Sequence, residues 1–138
     1  MAGDPEQDLD HGRVRDLNSA FYASHEAKDF DAMAALWSHG KDVVCIHPGW
    51  PILRGWEAVG ESWRRIFAGP AENQFIVTNE QLNIGQGVAW ITLDENLMSA
   101  SGTGTIAATN VFLKIQGEWK VVHHHGSPVA AQRKRPAP

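Results

Sequence analysis

A chain of 138 residues, 43% hydrophobic and 20% charged, is long enough for one packed core and too short for two domains of ordinary size. Sixteen acidic side chains against twelve basic ones leave a net charge of -4, which speaks against nucleic acid as a partner, and the single cysteine, Cys45, rules out an intrachain disulfide. No apolar run is long enough to span a bilayer and nothing resembles a signal peptide, so the expected setting is cytoplasmic, with no membrane partner.

Residues 1–11 are acidic without apolar periodicity and are expected to form a flexible arm ahead of a single domain over 12–128, with a flexible basic tail over 129–138 around Arg133, Lys134 and Arg135. Val14, Leu17 and Phe21 have helical spacing, with Tyr22 one position round from that stripe, and the first helix is expected to end near Lys28. Asp29 then caps a short helix in which Phe30, Met33, Ala34 and Trp37 share a face, stopped by Gly40. After a strand over 43–46, a third helix opens near Gly55. Trp56, Val59, Gly60, Trp63, Ile66 and Phe67 form its apolar stripe, and Gly69-Pro70 ends it. Four strands follow, over about 74–84, 87–99, 103–116 and 118–125, with the two-residue Gln116-Gly117 joint closing the last pair as a tight hairpin. Helices first and a meander of long strands afterwards is an α+β pattern, with helices gathered on one face of a curved antiparallel sheet.

Two histidine-bearing segments stand out. Val44-Cys45-Ile46-His47-Pro48-Gly49-Trp50 reads as a strand that delivers His47 to a loop shaped by proline and glycine, with Trp50 next along at a pocket lip. In Trp119-Lys120-Val121-Val122-His123-His124-His125, a period of two puts His123 and His125 on one face, toward His47, and His124 on the other. Three imidazoles match the ligand count of a catalytic zinc site, but no HExxH motif, cysteine pair or dedicated acid accompanies them, so a ligand is expected there and no metal. Asn110 and Glu95 interrupt strand runs and read as residues of a wet cavity or of an exposed or subunit-facing side; Cys45 reads as a small hydrophobe. Trp37, Trp56, Trp63 and Trp90 read as core.

Leu17-Asn18-Ser19-Ala20-Phe21-Tyr22, Lys28 to Met33, Leu36-Trp37, Cys45 to Gly49, Leu53-Arg54-Gly55, Glu61-Ser62-Trp63, Ala108 to Phe112 and Trp119 to Pro128 occur in the order found in the SnoaL-like branch of the nuclear transport factor two superfamily, which the chain resembles. The resemblance implies a cone-shaped curved sheet with three N-terminal helices packed on its concave face, the fold shared with ketosteroid isomerase. It leaves the chemistry open, because one fold hosts many functions. In the isomerase a general-base aspartate precedes a proline on the first strand, and His47-Pro48 stands in that place; its oxyanion hole joins a first-helix tyrosine to a protonated aspartic acid deep in the cone, and the late strands here offer no obvious counterpart.

The expected function is a small-molecule-binding domain with an apolar pocket lined by Tyr22, His47, Trp50, His123 and His125, needing no cofactor. Two alternatives are a cofactor-free isomerase, cyclase or dehydratase with His47 as general base, and an oligomerisation or association module. Three helices cannot cover both faces of four long strands, so a homodimer through the sheet is expected as well.

Overall fold

The computed structural model describes residues 5–130. Its elements run α1 (Pro5–Ala27), α2 (Phe30–Leu36), β1 (Val44–Ile46), β2 (Leu53–Arg54), α3 (Trp56–Ala68), β3 (Gln74–Ile84), β4 (Val88–Ser99), β5 (Gly102–Ile115) and β6 (Glu118–Pro128).

The first helix opens at Pro5, where the missing N–H and fixed φ suit a first helical position. Residues 5–11, expected as part of a flexible arm, are therefore its first two turns. Amphipathic periodicity does not reveal them because they are held by polar contacts: Asp10 accepts from the Trp119 indole N–H at 2.9 Å and from Lys114 at 3.2 Å. Residues 131–138, most of the expected basic tail, lie outside the described residues, and so do residues 1–4. Asp29 caps α2 as expected, accepting from the Ala32 N–H at 3.0 Å. That helix stops at Leu36, ahead of Gly40, because Trp37 turns extended and bridges to Val121 of β6.

The sheet is six-stranded, ordered β2-β1-β6-β5-β4-β3. Its long strands are antiparallel, but β1 lies parallel to β6, with Val44, Cys45 and Ile46 opposite His123, His124 and His125, so the sheet is mixed rather than antiparallel throughout. The short β2 pairs with β1 and escapes a reading based on apolar runs. The helices close over the inner face, where Val14, Phe21, Met33, Trp37, Val59, Trp63, Ile91, Phe112 and Val121 form a fully buried core. Val59 and Trp63 of α3 take the core positions their periodicity predicts. No helix among the described residues is long and apolar enough to cross a membrane.

Candidate functional site

β1 carries Cys45 on its inward face and ends one residue before His47, and both side chains are buried. After His47 the chain turns back at once: the Trp50 N–H donates to the His47 carbonyl at 2.8 Å across Pro48 and Gly49. Gly49 has φ 82°, the conformation a type II turn requires at its third position and one a side chain disfavours. The turn lays the Trp50 ring edge-on to His47 at 4.9 Å, and Trp63 meets the imidazole from α3 at 4.7 Å. His47 Nε2 lies 2.8 Å from Ser62 Oγ, whose single hydrogen is already donated to the Val59 carbonyl at 2.6 Å. Nε2 must therefore carry the proton, which leaves the lone pair on Nδ1. Burial, with the nearby His25 adding to it, lowers the His47 pKa to about 4, so the ring is neutral at physiological pH.

The terminal strand departs from the expected alternation. Trp119 and Val121 point inward, but Val111 pairs with His123 while Phe112 pairs with Val121, so Val122 is the extra residue of a β-bulge. The bulge reverses the parity beyond it. His124 enters the cone, whereas His123 and His125 stand on the outer face, where His125 lines a groove of about 460 Å³ with Asn79, Thr92, Asp94 and Thr109. The histidine beside His47 is thus His124, with rings 6.4 Å apart, in place of the expected His123 or His125.

His124 begins a chain of buried hydrogen bonds. Its Nδ1 donates to Asn110 Oδ1 at 2.5 Å; Asn110 Nδ2 donates to Asn18 Oδ1 at 2.9 Å and to the Tyr22 hydroxyl at 3.2 Å; Tyr22 donates to Glu95 Oε2 at 2.7 Å. Because the Asn110 amide nitrogen serves α1, its oxygen must face His124, and this fixes the neutral His124 tautomer with the proton on Nδ1. Burial and the neighbouring imidazoles hold the His124 pKa well below the usual histidine value. Burial raises Glu95 to about 7, against the lowering effect of the Tyr22 bond, and burial together with Glu95 pushes the Tyr22 phenol far up. A first-helix tyrosine therefore does meet a carboxyl inside the cone, and the carboxyl is Glu95 of β4. Asn110 and Glu95, open at the level of sequence, both belong to this inner network.

Sequence reasoning missed Asn18, Ser62 and His25. Asn18 and His25 share the apolar stripe of α1 with Val14, Phe21 and Tyr22, and a polar residue on such a stripe was the available signal. His25 packs against Trp63, Phe67 and Phe75 at ring distances of 5.2, 5.8 and 4.6 Å. Cys45 is an inert thiol, since burial first and Glu95 second raise its pKa strongly. No group of three or more His, Cys, Asp or Glu side chains suited to a metal occurs among the described residues. Four cavities of about 370–570 Å³ open on the outer sheet face and around α1 and the strand turns; none of these four is lined by Tyr22, His47 or His124.

The comparisons agree with this architecture. A protein designated a candidate dehydratase of the NTF2-like family from Streptomyces avermitilis is 35% identical, covering 91% of this chain and 99% of its own, with a TM-score of 0.83. A candidate calcium/calmodulin-dependent protein kinase type II association domain from Thiobacillus denitrificans is 32% identical, covering 82% and 92%, with a TM-score of 0.69. The F-box protein SKIP8 of Arabidopsis thaliana is 32% identical over 111 residues, 80% of this chain and 47% of that protein, so the chain spans about half the length of this relative. The family model for the SnoaL-like domain matches residues 14–132, and the chain belongs to that family.

Proposed function

We propose that this domain binds a small, largely apolar molecule inside its cone, and that the groups meeting there can move a proton on it without a cofactor. The observation that carries the reading is the convergence of Asn18, Tyr22, His47, Ser62, Glu95, Asn110 and His124 on the inner face, none more than 5% exposed. Burying so many polar groups is costly unless they are satisfied, and an apolar core of the same volume would hold the fold as well. Held this way, His47 and His124 are neutral acceptors, while Glu95 stands close to half-protonated at neutral pH beside Tyr22. Acids and bases poised apart in this manner suit removal of a proton next to a carbonyl, in isomerisation or loss of water. The relative named as a dehydratase is consistent with such chemistry. Trp50, 37% exposed over His47, offers the way in. The test is titration with cyclic enones and β-hydroxy ketones, read by NMR on the interior aromatic signals and by ultraviolet absorbance for enone formation. Binding that weakens in His47→Ala supports the reading; unchanged interior signals at millimolar ligand refute it.

A second reading, association of copies, has its own support. Ile76, Trp90, Met98, Leu113 and Ile115 stand exposed on the outer sheet face, and the association-domain relative is 32% identical. A homodimer through this face is the expected outcome of light scattering; a mass near the 15.2 kDa monomer at micromolar concentration would refute it.

A further inference from the structure

Three buried side-chain polar atoms among the described residues lack a hydrogen-bond partner, Trp37 Nε1, Trp63 Nε1 and His25 Nδ1, and the last two belong to rings that touch, with centroids 5.2 Å apart. Trp63 is 0% exposed. A buried indole N–H left unpaired costs about 1–3 kcal/mol, and native proteins keep few such groups. The indole can only donate. His25 Nδ1 on a neutral ring can accept, and burial among Trp63, Phe67 and Phe75 keeps His25 neutral. A donor and an acceptor on touching rings match one chemical group, a hydroxyl, whose oxygen accepts from the indole while its hydrogen goes to the imidazole. Phe67 packs on both rings and Phe75 on that of His25, and no Lys or Arg appears among the buried residues of the described chain, so an anion finds no counter-charge here.

Resting on the reading that the cone takes a small molecule, we infer that Trp63 and His25 recognise the hydroxyl of a neutral, ring-sized apolar ligand, with His47 also in contact with the Trp63 ring. The same indole then touches both the recognition end, at His25, and the proton-moving end, at His47 and Ser62.

The experiment uses phenol, toluene and benzoate, which share a ring and differ in the group the site must recognise, on the full chain at pH 7. The readouts are the dissociation constants and the indole N–H and histidine ¹⁵N resonances, with the Trp63 signal assigned through Trp63→Phe. Two satisfied hydrogen bonds predict phenol binding about tenfold more tightly than toluene, with benzoate weakest, and a shift of the Trp63 and His25 signals by phenol alone. His25→Phe should remove the preference for phenol while toluene still binds. Toluene binding as tightly as phenol, with the Trp63 indole signal unmoved, overturns this inference and leaves the ligand-binding reading standing. Failure of all three probes to move any interior signal at millimolar concentration overturns both. The wild-type measurements decide the matter even if a variant does not fold.

Discussion

Replacing Glu95 by glutamine should stabilise the protein above neutral pH and leave its stability unchanged in acid. In the unfolded chain Glu95 loses its proton near pH 4.5, whereas in the fold burial holds the proton until about pH 7. Between these values the folded state binds more protons than the unfolded one, so stability falls as pH rises, by about 3 kcal/mol at 1.36 kcal/mol per tenfold change in proton concentration, and the loss is complete above pH 7. His25 and His47 act in the opposite sense. Their folded pKa values near 4 lie below the ordinary 6.5, so the unfolded chain takes up protons first and stability drops as pH falls from 6.5 to 4, with His124 adding in the same direction. Because two or three histidines outweigh one carboxyl until their unfolded forms have lost their protons, the wild-type protein should be most stable at about pH 7. Glutamine keeps the shape and can still accept from Tyr22, but it cannot ionise. The assay is urea unfolding followed by tryptophan fluorescence at pH 5 and pH 8, with the difference between variant and wild type as the readout. That difference should be about 1 kcal/mol or less at pH 5 and reach about 3 kcal/mol in favour of Glu95→Gln at pH 8. A difference independent of pH would show that Glu95 is not the buried acid described here.

Gly126→Ala places a Cβ 3.0 Å from Ile106 Cγ2 and 3.3 Å from Pro48 Cγ. The overpacking should cost about 1–3 kcal/mol in urea unfolding and shift the His47 and Trp50 NMR signals through Pro48; unmoved signals would uncouple this strand from the turn. Asp10→Ala removes the acceptor of the Trp119 indole and a partner of Lys114, and should lower stability by about 1–2 kcal/mol; no change in the unfolding midpoint would mean that the first turns of α1 contribute nothing to the fold.

Much of the fold was legible because periodicity is a local property. The stripe from Trp56 to Phe67 and the Asp29 cap follow from side-chain direction along a helix, and the tight hairpin follows from Gln116 and Gly117, both with positive φ in the structure. His47 was legible for the same reason: a short apolar strand ending in Pro-Gly leaves its last side chain at a turn. The first turns of α1 were not, because Asp10 is held by Trp119, 109 positions away.

What the sequence by itself determined was the family, the order of the helices and of every strand but the two-residue β2, and the inward course of His47 and Tyr22. Which histidine of the terminal strand joins them was decided only in the tertiary structure. Val122 reads like any other strand residue, yet the pairing of β6 with β5 makes it a bulge, and one unpaired residue exchanges the two faces for everything beyond it. The partners of Tyr22 were decided in the same way: Asn110 and Glu95 lie 88 and 73 positions away, and only the closure of α1 over the sheet turns three isolated polar residues into one connected network.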